Sequence, residues 1–536
     1  MRFVVLTAAS LMLLPGAALT AQHDAHSHDS PTAHGLGKID FPTSAGRAAH
    51  RQFERGVLYL HNFHYDEAAQ AFREAQRLDP GDVMSYWGEA MTYTHPIWLE
   101  QDTAAARVVL NRLAPNKRRR LVKARTRRER MYLEAVETLY DFTLAKAARD
   151  SAYTRAMQRL HVAYPRDDEA TLFYALALMG QGVRVDSTYL KAAQLAESVF
   201  RRKQDHPGAA HYMIHALDHP ATATRGLDAA RAYSGIAPDA VHALHMTSHI
   251  FVALGMWDEV VTANQRAQRA NRGRYGHPTL WLLYGLVQQG RIKDAEQWLD
   301  SIARQTDDVR TTFRGAYSRL HLAAMTAAWV VDAEQWSSPW ATLRVDSTGL
   351  GYSASDNDFM LGLAALRRGD RALADSMLAR MKTRLARATS AGGNAFSSPQ
   401  IASVQERTLR AYVLQSDGRS DDAIALLREA AALEESQPYA FGPPVTIKPP
   451  REALGEILIA TGRPAEAVKE LENALSRTPK RTRVLLSLAR AHQALGEAAD
   501  ASRVYTELAA IWKHADPELP HLREVTRGAA GGRAAQ

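Results

Sequence analysis

The sequence predicts an all-α solenoid, a stack of antiparallel helix pairs. Three observations carry that prediction. Apolar and small residues return with a period of 34 residues at both ends of the chain. In the middle, residues 255–271, 289–303, 368–378 and 417–434 each read as a tight turn leading into an amphipathic second helix. The 536 residues contain no cysteine, so neither disulfides nor thiolate-bound metal can hold the fold. Each helix pair is amphipathic and cannot bury its apolar face alone, so stacked neighbours must share one continuous core.

The segments follow in order. Residues 1–21, MRFVVLTAASLMLLPGAALTA, have a basic Arg2, an apolar stretch from Phe3 to Leu14 and a small-residue end. That is the composition of a secretory signal. The apolar stretch is short for a bilayer. The expected mature protein is therefore exported, periplasmic or secreted, with no transmembrane segment. Residues 22–45 are polar and poor in core formers, so disorder is expected. They carry His23, His26, His28 and His34 beside Asp24 and Asp29, a composition that binds Cu, Ni or Zn loosely or is simply solvated.

Residues 46–433 read as the N-terminal and central solenoid with divergent repeats. Within it, residues 49–82 place Gly56, Tyr59, Tyr65, Ala68, Phe72, Ala75 and Pro80 at the positions of a helix–turn–helix unit. Residues 434–450, EESQPYAFGPPVTIKPP, are a proline-rich connection that cannot be helical throughout. Residues 451–515 hold the C-terminal repeats. Residues 448–481 place Leu454, Gly455, Leu458, Pro464, Ala467, Leu471, Ala474 and Pro479 in register. Residues 482–515 follow with Leu485, Leu488, Ala489, Ala501, Tyr505 and Leu508. Residues 516–536 end in RGAAGGRAAQ and read as a flexible tail. About ten to twelve helix pairs are expected in all.

These spacings resemble the tetratricopeptide repeat (TPR). The resemblance implies an all-α, right-handed α-solenoid of TPR-like helix pairs. HPGAAHYMIHALDHP (206–220) and HALHMTSHIFVALGMWDEVVTAN (242–264) also resemble a group of exported bacterial tetratricopeptide-repeat proteins. So do the stretches beginning DEAAQAFREAQRLDPGD, PPREALGEILIATGRPAEAV and TPKRTRVLLSLARA. That likeness spans about residues 48–512. It implies the fold and export and no particular reaction.

The composition narrows the function classes. A net charge of +8 is mild for this length, so nucleic acid is not an expected partner. The dense run KRRRLVKARTRRER, Lys117–Arg130, fits a solvated helix face, an acidic partner or anionic lipid. No P-loop, dinucleotide glycine motif or serine-nucleophile elbow is present.

Seven histidines fall between His206 and His249. His211 and His245 are 34 apart, as are His215 and His249. Each pair has spacing i,i+4, so both rings leave one helical face. If repeats start near Pro207 and Val241, the four imidazoles lie on adjacent first helices, roughly 8–10 Å apart, facing the concave groove. They can then converge on one divalent transition metal, Zn, Cu, Fe or Ni. His61 and His95 are also 34 apart, and with His219 and His242 they are candidate additional ligands; His277 lies near the second position of its repeat. HEXXH is absent: Tyr212 and Met246 stand where a zinc protease carries its glutamate.

Two functions remain open from the residues. One is an exported scaffold that binds a protein or peptide partner in its groove, with Tyr212, Trp281 and Tyr284 among the contact residues and the histidines stacking or hydrogen-bonding. No catalytic carboxylate–nucleophile set is evident, which leans away from an enzyme. The other is a metal-binding protein, and in its catalytic form a metal-dependent enzyme, built on His211, His215, His245 and His249.

Overall fold

A computed structural model of the chain describes residues 33–182, 184–274, 276–308, 313–346, 354–386 and 398–533. The expected leader at residues 1–21, and His23, His26 and His28, lie outside the described residues.

Small residues set how closely the helices pair. In the first unit, Arg47–His61 and Tyr65–Leu78, Gly56 lies against the Phe72 ring, and Gly88 of the next helix lies against the same ring. A side chain at either position would push the helices apart. Asp82 caps the helix Val83–Met91, accepting from the backbone N–H groups of Met84 and Ser85 at 3.1 Å each. Turns between paired helices need a left-handed residue, which glycine supplies at Gly290 (φ +71°) and Gly462 (φ +73°). Repeated along the chain, this produces twenty-five α-helices among the described residues, each packed chiefly on its neighbours in sequence. The chain is an all-α solenoid of helix pairs. The only pairing of strands described is a two-residue hairpin, Thr94–His95 against Glu100–Gln101.

The array is wound tightly enough for its ends to return to its middle. The first helix touches the helix Pro207–Leu217 across the inner face. At the other end, the Trp257 indole N–H donates to the Lys480 carbonyl (3.0 Å) and the Trp512 indole N–H to the Gln288 carbonyl (3.1 Å). Residues 436–449, without helix, form a strap between the helices Ser420–Glu435 and Pro450–Ala460. No described helix is long and apolar enough to cross a membrane.

Two expectations drawn from composition are corrected. Residues 22–45 were expected to be disordered, yet part of the stretch is built into the core. Leu36 and Phe41 are fully buried, and Phe41 packs edge-on against Phe53 and Trp87 at 5.1 and 5.7 Å. Two apolar anchors suffice, although the average composition is polar. The expected flexible tail, 516–536, instead contains the helix Leu522–Arg533. Val525 is buried, Glu524 pairs with Arg490 (2.7 Å), and Gly528 lies against the Tyr505 ring. There the alanines and glycines form a thin face for close helix packing.

Candidate metal centre

Three alternate helices carry the histidines: Pro207–Leu217, Val241–Ala253 and His277–Gln288. The first two begin at the positions the 34-residue period specifies. His211 and His215 leave one face of the first, and His245 and His249 one face of the second.

The four do not gather at a single point as the spacing suggested. They divide into two adjacent trios. His211, His215 and His242 form one, and His245, His249 and His277 the other; within each, the nearest ring nitrogens lie within 4.8 Å of one another. The reason is helical geometry. His242 sits three residues before His245 and points back to the helix Pro207–Leu217, and His277, the first residue of the helix His277–Gln288, completes the second trio. The trios adjoin, with ring centroids 5.7 Å apart for His215–His249 and 6.4 Å for His242–His245.

The hydrogen bonds assign the tautomers. His211 Nδ1 lies 2.6 Å from the His61 carbonyl oxygen, which can only accept, so Nδ1 carries the proton. His249 Nδ1 lies 2.6 Å from Asp218 Oδ2 and donates to it. His245 Nδ1 lies 2.7 Å from Asn264 Oδ1, and Asn264 is fixed because its amide nitrogen donates to the Val260 carbonyl (2.8 Å). In the neutral form of these rings Nε2 is then the nitrogen without a proton. His245 Nε2 and His249 Nε2 face each other at 3.3 Å. His211 Nε2 faces His242 Nε2 at 3.1 Å. Two nitrogens held 2.0–2.1 Å from a tetrahedral ion stand about 3.3 Å apart. Backbone carbonyl, amide and carboxylate behind the imidazoles are the supports that orient metal-ligating histidines.

The charge balance points the same way. Asp218 is buried, and its Oδ1 has no hydrogen-bond partner among the described residues. A buried carboxylate with one oxygen left without a partner is stabilised by a nearby cation. Burial presses the His211 imidazole down to about 3, against the pull of its bond to the His61 carbonyl. Burial, then His245 and His249, lower His277 likewise. His211 and His277 are thus uncharged at neutral pH, the form in which imidazole binds metal.

Aromatic rings wall both trios. Phe63 lies 4.3 Å from His211 and 5.6 Å from His242, and Trp281 lies 4.3 Å from His249. The strap closes the inner side through Phe441, 5.1 Å from His249. Gly442 lets it do so: at φ +93°, with the Trp281 ring where a Cβ would go, only glycine fits. Replacing Gly442 with alanine is expected to lift the strap, cost about 1–3 kcal/mol and make residues 436–449 the first site of limited proteolysis. Unchanged cleavage would show that the strap is not held by this contact.

The other candidate residues lie elsewhere. His61 belongs to a separate buried set. Its Nε2 donates to Glu169 Oε2 (2.6 Å), its Nδ1 accepts from the Tyr212 hydroxyl (2.9 Å), and His206 Nε2 donates to Glu169 Oε1 (3.1 Å). His206 Nδ1 accepts from the Ala209 N–H. Every nitrogen of that set has a partner within the protein, as in a structural tie, and its three ligand atoms also lie within 4.8 Å of one another. Burial pushes the Glu169 carboxyl up, but His61 and His206 outweigh it and hold it below the usual carboxylate range. His95 lies 3.2 Å from Glu100 and stacks on Tyr65, and His219 accepts from the Ala221 N–H. Tyr212, Trp281 and Tyr284, expected to line an open groove, are all buried. The first repeat, the strap and the returning C-terminal repeats fill the concave side at this level. His277 as a member of the second trio, the supports Asp218 and Asn264, and the walls Phe63 and Phe441 are parts of the site that sequence reasoning missed.

Family patterns for the tetratricopeptide repeat match residues 49–82 and 458–515. No curated protein matches the chain. Among solved structures, yeast Tom70 aligns at 14% identity and TM-score 0.29, covering 91% of this chain and 96% of its own. Human IFIT1, solved as a dimer with m7Gppp-AAAA, aligns at 12% identity and TM-score 0.35, covering 89% and 92%. The same human protein with PPP-AAAA aligns at 12% and 0.34, covering 86% and 90%. Alignments this loose carry no argument about function.

Proposed function

We propose that this tetratricopeptide-repeat protein holds transition-metal ions, one in each of two adjacent three-histidine centres inside its solenoid. The observation that carries the reading is the pair His245 Nε2 and His249 Nε2, 3.3 Å apart, with both Nδ1 protons already committed. The donors are neutral imidazoles, which suit Zn, Cu, Fe or Ni. Three histidines leave a fourth position for water or substrate, the arrangement of catalytic rather than structural sites. The aromatic walls and the strap limit access of bulk water to that position. Tetratricopeptide repeats also support an interaction scaffold, and a protein or peptide partner would then engage surfaces outside the filled concave side.

The test is metal content by plasma mass spectrometry. The chain should carry His23, His26, His28 and His34 replaced by glutamine, so that the N-terminal segment binds nothing. After incubation with Zn(II), Cu(II), Ni(II) or Fe(II) and desalting, about two ions per chain are expected for at least one metal. One ion per chain would reject the paired arrangement, and none with any of the four would reject the metal reading.

A further inference from the structure

The metal reading leaves the basic run unexplained. In the structure it becomes the short helix Lys117–Val122, a turn, and the start of the helix Arg127–Leu139. Its cations fall into two sets, with Arg127 exposed at the start of the second helix. Arg120 and Arg128 bond inward to Glu137 and Asp167, and Arg125 and Arg130 pair with Asp79 and Glu134. Lys117, Arg118, Arg119 and Lys123 are exposed and make no ion pair among the described residues. Arg118, Arg119, Val122 and Lys123 line one open surface hollow.

Apolar side chains are interleaved with these charges. Val122 is 74% exposed and Phe142 64%, values at which a large apolar residue gains nothing from the fold. Phe142 lies near the basic helix: Arg107 stands 6.0 Å from its ring centroid, and both Arg107 and Lys117 act on the charge of the neighbouring Asp141. A solvated helix face explains exposed cations but not exposed Val122 and Phe142 among them. An acidic protein or a nucleic-acid backbone would neutralise the cations and leave both apolar groups in water. A bilayer meets both chemistries, with anionic headgroups for the cations and the acyl boundary for the apolar side chains.

We propose that the surface formed by Lys117, Arg118, Arg119, Val122, Lys123 and Phe142 docks the protein on an anionic lipid bilayer. The docking is peripheral and reversible, because one short helix and two apolar side chains are too little for stable insertion.

The experiment is sedimentation of the full chain with vesicles of equimolar phosphatidylglycerol and phosphatidylcholine, beside vesicles of phosphatidylcholine alone. Two variants accompany it: Lys117→Gln/Arg118→Gln/Arg119→Gln/Lys123→Gln, and Val122→Ser/Phe142→Ser. All six positions are exposed, so the folds should survive, and matching circular-dichroism melts check this. The wild type is expected to bind the anionic vesicles at least about tenfold better than the neutral ones, and each variant to lose about tenfold or more. Absence of binding, or equal binding to both vesicles, overturns the proposal. So does an unchanged Val122→Ser/Phe142→Ser variant. Binding to polyglutamate that the charge variant loses, without vesicle binding, would assign the patch to an acidic protein instead.

Discussion

Exchanging His249 for alanine is expected to remove one of two bound ions and leave the other. The second trio would be reduced to His245 and His277, two donors from different helices, whereas His211, His215 and His242 keep all three. The substitution also strips Asp218 of the proton it accepts at 2.6 Å, leaving a buried carboxylate with no partner among the described residues. That alone destabilises the fold by about 1–3 kcal/mol or more. The companion variant His249→Ala/Asp218→Asn removes the orphan charge and separates lost metal from lost fold. Asp218→Asn alone keeps every ligand but weakens the group that orients His249. Its effect is expected as a 10–100-fold lower affinity at one site only, by calorimetric titration. Two ions retained in His249→Ala, or an unaltered affinity in Asp218→Asn, would show that the second trio is a packed cluster and no ligand set.

Much of this site was legible because helical repeats convert sequence spacing into spatial position. Helices 34 residues apart lie side by side, so His211/His245 and His215/His249 were readable as neighbours without coordinates. Which rings group into which trio was not readable. That depends on the rotation of each helix about its axis, which sends His242 backwards and His245 forwards although they are three residues apart. His277 is out of step because its helix begins 36 residues after Val241 rather than 34. The strap and the returning C-terminal repeats were hidden for another reason. A period reports neighbours along the stack and says nothing of contacts between residues 149 or more apart, such as Arg481 with Asp332. Composition misled where a few residues decide, as with Leu36 and Phe41 in a polar segment.

The largest stability effect is expected at Arg481, which no repeat pattern singles out. Its guanidinium is buried, and all five N–H groups are used. Nε donates to Glu452 Oε2 (2.5 Å). Nη1 donates to Asp332 Oδ2 (2.8 Å) and the Tyr284 hydroxyl (3.0 Å). Nη2 donates to Asp332 Oδ1 (2.5 Å) and the Ile447 carbonyl (3.3 Å). Lys448 adds a second cation, 2.7 Å from Glu452 and 2.5 Å from Glu456. One side chain thus joins the central helices, the last repeats and the end of the strap. Arg481→Ala would leave Asp332 and Glu452 buried beside Lys448 alone, a loss of about 3–5 kcal/mol. Arg481→Lys should recover little, since a point charge cannot serve Asp332 bidentately. The pH dependence has a definite sign. Burial raises the Glu452 carboxyl, but Arg481 and then Lys448 overcome it and hold it at about 2. A depressed carboxyl contributes stability that is complete above its unfolded value, 4.5, and is lost as pH falls toward 2. The melting-temperature gap between wild type and Arg481→Ala should therefore be widest at neutral pH and narrow below about pH 4.5. A gap of the same size at pH 7 and pH 3 would mean that Arg481 acts by filling space and not by charge. Because Arg481 also holds Ile447, Arg481→Ala should loosen the strap over the histidines, so that metal leaves the second trio faster even at temperatures where the helices stay folded.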